Sequence, residues 1–300
     1  MAPPAALIVN PRASAVDEPR LAAVREALGG PEVLRTEAPG HAAELARAAE
    51  EWADAIYVFS GDGGFNEVVN GASGRVPLGF VPGGGANVLP RALGLPRDPV
   101  ETARRLVLRR TRRISLGRAN GRRFAFSCGI GPDAEAVRRI DARGRRPDGK
   151  RPGNLAFALA VARVVLEGSY AEPALELAEL EPSNTVLQGR QAAFALVGNL
   201  APYTYAGLLA VRPHPQVTAE QGLDLVAPAR FRRRSLPRYA AYVVRGRGAD
   251  TATDLAYAHD LDRVVIRCLR PLPLQVDGED LGDTTGVVIE AERDAVTVLV

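Results

Sequence analysis

The stretch Ser60-Gly61-Asp62-Gly63-Gly64-Phe65-Asn66-Glu67-Val68-Val69-Asn70-Gly71 follows the apolar run Ile56-Tyr57-Val58-Phe59 and leads into a helical pattern. A strand, a glycine turn and a helix in immediate succession open a βαβ unit. Glycines at such a turn let backbone amides approach phosphate oxygens, and the helix N-terminus favours negative charge. The match to a dinucleotide-binding fingerprint is loose, because Asn66 replaces the last glycine and the carboxylate of Asp62 sits within the turn. A carboxylate beside a polyphosphate repels it unless a divalent cation or a water network mediates, so Asp62 points to a metal-nucleotide. The bland alternative is a purely structural glycine turn.

Outward from this turn the same alternation recurs. Ala6-Leu7-Ile8-Val9 precedes a helical pattern over 16–28, Val33-Leu34 one over 41–51, Ala55 to Phe59 one over 64–70, and Val76 to Val81 one over 87–94. Short β-type runs separated by helices predict a parallel, helix-covered sheet. Pro99 to Arg110 reads as a further helix. From about Arg112 the pattern changes to short strand candidates between Gly, Pro and charged turns, among them Arg122 to Cys128, Gln191 to Leu200, Leu272 to Val276, Gly286 to Ala291 and Ala295 to Val300. That spacing predicts a β-sandwich-like second domain, with the division at 1–118 and 119–300. Leu155 to Ala162 is read as a core helix, a lipid pocket or membrane contact being the alternative.

A second glycine turn, Pro82-Gly83-Gly84-Gly85-Ala86-Asn87, follows the fourth run. Two such turns at the same end of adjacent parallel strands face one crevice, where ligands bind in open α/β sheets. Asn87 can equally cap the following helix. Asn10-Pro11-Arg12 ends the first strand and Thr36 the second, at the same sheet edge. Near the C-terminus, Asp277-Gly278-Glu279 follows an apolar strand. Its carboxylates can supply a general base for a hydroxyl nucleophile, although Asp-Gly-Glu alone also reads as a surface hairpin.

Composition narrows the chemistry. The chain has 300 residues, 46% of them hydrophobic, which suffices for one large core or two modest ones. All but one of the 38 basic residues are arginine, the exception being Lys150. No Walker-type lysine and no protein-kinase strand lysine is available, so phosphate must be met by backbone amides, arginine or a metal ion. Cys128 and Cys268 stand alone beside three histidines, against a disulfide framework or a cysteine zinc site and in favour of a reducing, cytoplasmic setting. The longest apolar stretch is interrupted by Arg163 and too short to span a bilayer, so a soluble or peripherally attached chain is expected.

Taken together, Asn10-Pro11 with Thr36, Ser60 to Gly71, Pro82-Gly-Gly-Gly-Ala-Asn with Arg91-Ala-Leu-Gly-Leu-Pro, Gly131-Pro-Asp133-Ala-Glu and Asp277-Gly-Glu resemble the diacylglycerol kinase catalytic-domain family. The resemblance implies an α/β nucleotide-binding domain, a β-rich domain, and ATP with Mg2+ bound in the cleft between them. It implies transfer of the γ-phosphoryl group to a lipid hydroxyl, most fittingly that of diacylglycerol, with Glu279 as base beside Asp277 and Asp62. Asn10, Arg12, Thr36, Ser60, Gly61, Asp62, Gly63, Gly64, Asn66, Glu67, Gly84, Gly85 and Asn87 would hold the nucleotide. Asp62 and Asp133 would organise magnesium, with Asp224 a weaker candidate. The expected partner is a lipid at the inner face of a membrane, met by arginines at 109–113, 143–151 and 230–234. No nucleic acid is expected, and a homodimer stays open.

The family's Gly-Gly-Asp-Gly-Thr reads here as Ser60-Gly61-Asp62-Gly63-Gly64, Gly85 stands where a threonine or serine is common, and Val88 where many bacterial members carry an aspartate. Gln221 replaces an aspartate associated with a structural magnesium. Competing readings are a sphingoid or ceramide kinase, a soluble kinase of the NAD-kinase type, and a nucleotide-binding module without transfer activity.

Overall fold

Three apolar runs become the strands β1 (Ala5–Val9), β3 (Ala55–Ser60) and β4 (Leu78–Pro82), with β2 (Glu32–Arg35) beside β1. In this computed structural model residues 4–142, 144, 154–206, 209–246 and 254–300 are described. They divide into unit 1, Met1–Ile114 with Asp294–Val300, and unit 2, Ser115–Arg293.

In unit 1 the order is β2-β1-β3-β4, all parallel. β3 is buried along its whole length, as a strand covered on both faces must be. The helices are α1 (Glu18–Ala27), α2 (His41–Ala49), α3 (Asp62–Gly71), α4 (Val88–Ala92) and α5 (Pro99–Leu106). Asp17 and Asp98 cap α1 and α5, accepting from the amides of Arg20 and Glu101, each with a proline in the first turn. Phe65 of α3 packs edge-on against Phe80 of β4 at 5.1 Å. α5 stops at Leu106, short of the expected Arg110, and Arg109 takes a left-handed φ of 51°.

Unit 2 holds β5 (Thr111–Ala119, from Ser115 on), β6 (Arg122–Phe124), β7 (Ser127–Ile130), α6 (Pro132–Ala142), α7 (Asn154–Glu167) and β8 (Leu175–Glu181). There follow β9 (Gln191–Ala192), β10 (Ala195–Gly198), β11 (Thr204–Ala206), β12 (Leu209–Val211), β13 (Leu223–Pro228), α8 (Leu236–Arg245), β14 (Leu255–Leu261), β15 (Arg263–Val276) and β16 (Glu279–Leu299). The strands β14-β13-β10-β7-β15-β16 pair antiparallel in that order. β15 forks this sheet: its first half pairs with β8 and its last residues with β7. The fork encloses a core including Leu177, Val197, Leu225, Ile266, Leu274 and Ile289.

Three expectations are corrected. Arg122 to Cys128 is broken into β6 and β7, because the amides of Ala125, Phe126 and Ser127 turn to the carboxylate of Asp277 rather than to a neighbouring strand. The two final strand candidates are one strand, β16, bent at Asp294 with φ 49°. The division at 118 omits the return of Asp294–Val300 to unit 1, where Val298 pairs parallel with Leu78 and covers an otherwise open edge of β4. The arginines at 143 and 145–151 lie outside the described residues.

Candidate active site

The parallel register aligns the ends of the strands of unit 1. Val9 pairs with Arg35 and Phe59, and Phe59 with Val81, so Asn10, Thr36, Ser60 and Gly83 all follow at the same sheet edge. The two glycine turns touch through their backbones: the amide of Gly83 donates to the Ser60 carbonyl at 2.7 Å, and a Cβ on Gly84 would lie 2.7 Å from the Cα of Gly61. Only glycines permit that approach.

Asp62 ties the turns together, its Oδ1 accepting from the Val88 amide at 2.7 Å. It thereby caps α4, the job the sequence offered to Asn87. Asn87 instead takes a left-handed conformation, φ 48°, and folds its amide back onto Gly84, accepting from its N–H at 2.8 Å and donating to its carbonyl at 2.7 Å. Gly63 and Gly85 have nothing within 4 Å of where a Cβ would stand, so a ligand can approach their backbones closely. Asn10 closes a turn by accepting from the Arg12 amide at 2.9 Å.

Glu67 is not brought to this edge: its Oε2 accepts from the Ala42 amide at 3.1 Å and so caps α2, whose own cap residue is Gly40. Asn66 is buried, 3% exposed, with its carbonyl accepting from Asn70. At Gly64 the structure accounts for the missing side chain, because a Cβ there would meet the Ser60 Oγ at 2.1 Å. Side chains at 60 and 64 compete for one volume. Gly64→Thr alone should therefore destabilise by about 1–3 kcal/mol through overpacking, and Ser60→Gly/Gly64→Thr should recover most of that loss. Equal melting temperatures for the single and double variants in thermal denaturation would refute the coupling.

Unit 2 carries the remaining candidates. Asp277, at φ 49°, accepts from the amides of Ala125 (2.7 Å), Phe126 (3.0 Å) and Ser127 (3.0 Å), which makes it the anchor of its turn. Two residues on, the Glu279 side chain is 58% exposed and paired at 2.5 Å with Arg122, a partner no local motif announced. Asp133 is buried, one oxygen accepting from Tyr203 and the other from Gln275 at 2.6 Å. Burial pushes its carboxyl up to about 6, with the two hydrogen bonds opposing. Asp224 is fully buried, bound by the Tyr257 hydroxyl at 2.5 Å, the His259 Nδ1 at 2.7 Å and the Asp260 amide at 3.2 Å. Both carboxylates thus serve the interior of unit 2.

Among the described residues no group of three or more His, Cys, Asp or Glu is arranged to hold a metal ion. Magnesium needs no such cage, since it takes one or two carboxylates together with substrate phosphates and waters. Asp62 at the mouth of α3, its Oδ1 accepting from the Val88 amide, suits that mode.

A parallel α/β unit followed by a strand-rich second unit is also the fold of solved structures of a diacylglycerol kinase and an NAD kinase. An NAD kinase from Archaeoglobus fulgidus in complex with ATP superposes at a TM-score of 0.50 with 12% identity, over 99% of this chain and 93% of that one. A diacylglycerol kinase from Bacillus anthracis superposes at 0.72 with 20% identity, over 99% and 96%. Residues 4–119 match the diacylglycerol kinase catalytic domain, so the chain carries a domain of that family, as its motifs indicate. The diacylglycerol kinase of Bacillus subtilis is 32% identical over 154 residues, 49% of this chain and 47% of the relative. The diacylglycerol kinase of Staphylococcus epidermidis is 38% identical over 84 residues, 27% of each. The chain thus aligns with less than half the length of either relative.

Proposed function

We propose that the chain is an ATP-dependent lipid kinase acting on a lipid hydroxyl, with diacylglycerol as the acceptor. The observation that carries this reading is the fusion of the two glycine turns through Gly61, Gly84 and the Asp62 to Val88 hydrogen bond, at the strand ends of a diacylglycerol kinase catalytic domain. The amides of Gly63 and Gly85 and the head of α3 bind the triphosphate. Magnesium, when bound by Asp62 and the phosphates, supplies neutralisation of the charge that develops in transfer. Glu279 takes the proton of the acceptor hydroxyl, whose oxygen bonds to the γ-phosphorus as the bond to the β,γ-bridging oxygen breaks and ADP leaves. Asp277 holds the turn that presents Glu279.

The lipid must be met at a membrane, and among the described residues no helix is long and apolar enough to cross one. We place the docking face on unit 2. Leu159 and Leu166 of α7 are 63% and 51% exposed, on one helical face with Arg163 between them. Beside them a groove of about 390 Å³ is lined by Val165, Ala171 and Phe231, with Arg232, Arg233 and Arg234. Exposed leucines among arginines match an anionic bilayer, each basic residue contributing about 1 kcal/mol near its surface. A second copy of the chain would set arginine against arginine.

Labelled ATP offered with diacylglycerol, sphingosine, ceramide and NAD tests the reaction, with label expected in diacylglycerol. Label in NAD alone overturns the lipid assignment, and nucleotide binding without transfer to any acceptor favours the non-catalytic module. For docking, Leu159→Glu/Leu166→Glu is expected to abolish co-sedimentation with anionic phosphatidylglycerol vesicles while sparing activity on a short-chain acceptor. Unchanged sedimentation would remove this face from the interaction.

A further inference from the structure

The motif around Asp133 and the Asp277-Gly278-Glu279 turn lie far apart in sequence, yet one side chain joins them. Gln275 is fully buried in β15, between the buried Leu274 and Val276. A polar side chain placed there is costly unless both ends are hydrogen-bonded, and both are. Its Nε2 donates to Asp133 Oδ2 at 2.6 Å, and its Oε1 accepts from the Gly278 amide at 2.7 Å. The second Asp133 oxygen accepts from the Tyr203 hydroxyl. Opposite Gln275 in the β7 register stands Gly129, where a Cβ would lie 2.1 Å from Asp133 Oδ2 and 2.8 Å from Gln275 Nε2. The pairing therefore needs a glycine on the neighbouring strand.

We infer that Gln275 is a positioning residue for Glu279, fixing the Asp277-Gly278-Glu279 turn to the buried carboxylate of Asp133. The inference rests on the proposed base role of Glu279. The turn is held on two sides: the Asp277 carboxylate binds the amides of residues 125–127, and Gln275 binds the next amide along, that of Gly278. Since Oε1 must accept, Nε2 must donate, and the oxygen of Asp133 facing it must be bare. This assigns the Asp133 carboxylate an orienting task inside unit 2.

Gln275→Glu gives the decisive variant. Its carboxyl would face Asp133 from α6, which is itself bound by Tyr203 from the segment before β11 and acts, with Asp277, on the thiol of Cys128 in β7. When it and Asp133 share one proton, its O–H donates to Asp133 and its other oxygen accepts from Gly278, reproducing the amide. When both are ionised they repel, and the turn loses its tie.

The expected result is a kcat lowered about 10- to 100-fold at pH 8, recovering relative to wild type as the pH falls toward 6, with KM for ATP unchanged. Gln275→Met removes both hydrogen bonds, so kcat should fall by a similar factor at every pH and the Gly278 amide should exchange with solvent faster than in wild type. Thermal denaturation confirms that each variant folds, and the Glu variant at low pH serves if the Met variant does not. A wild-type pH profile in Gln275→Glu, or unchanged Gly278 exchange in Gln275→Met, overturns the inference. If wild type transfers phosphate to no acceptor, the function reading fails on its own and Gly278 exchange still decides whether Gln275 holds the turn.

Discussion

Glu279→Gln is expected to lower kcat for lipid phosphorylation by about 10²- to 10⁴-fold, the usual contribution of a general base. Glutamine keeps the shape of the side chain but cannot accept the hydroxyl proton as it leaves. The turn should persist in the variant, because Asp277 keeps its three amide donors and Gln275 its bond to Gly278, none of which involves the residue 279 side chain. Nucleotide binding should stay within about twofold of wild type, since a change confined to the chemical step lowers kcat without altering uniform binding. Arg122, 2.5 Å from Glu279, retains hydrogen-bond contact with the neutral amide. Single-turnover kinetics together with titration of ATP binding separate the two effects. Wild-type turnover in Glu279→Gln would sink the base assignment while leaving the nucleotide site intact.

What the sequence made legible follows from the range of the interactions involved. The turns at Ser60 and Gly83 are local, each a strand, a glycine cluster and a helix in succession, and parallel pairing then aligns their ends without further information. The carboxylates were harder to read because their partners are remote. Glu67 sits three residues after the last glycine of the turn but caps α2 at Ala42, a use visible only once α2 and α3 pack so closely that a Cβ on Gly71 would lie 2.1 Å from the Ala43 carbonyl oxygen. Asp133 and Asp224 carry the residue type of a metal ligand, yet tyrosine, glutamine and histidine side chains from distant strands and loops occupy their oxygens. Gln275 gave one local signal, a polar residue in the otherwise apolar run Leu272 to Val276 that leads into Asp277-Gly-Glu. The return of Asp294–Val300 to unit 1 had none: the sequence shows a strand candidate at Ala295 to Val300, but nothing local says that it pairs with β4.

Gly84→Ala is expected to have the second large effect, on the nucleotide side. A Cβ at this position would lie 2.7 Å from the Cα of Gly61 and 3.2 Å from the Asn87 Oδ1, and the first of these is backbone that cannot swing aside. One turn must move away from the other, straining the Asp62 to Val88 hydrogen bond that joins them. Overpacking of this kind costs about 1–3 kcal/mol in stability. Displacing phosphate-binding amides by as little as 1 Å should weaken ATP–Mg2+ binding about 10- to 100-fold. Calorimetric titration with ATP–Mg2+ and thermal denaturation of Gly84→Ala should therefore show both losses. Wild-type affinity for ATP–Mg2+ in Gly84→Ala would mean that contact between the glycine turns does not shape the nucleotide site.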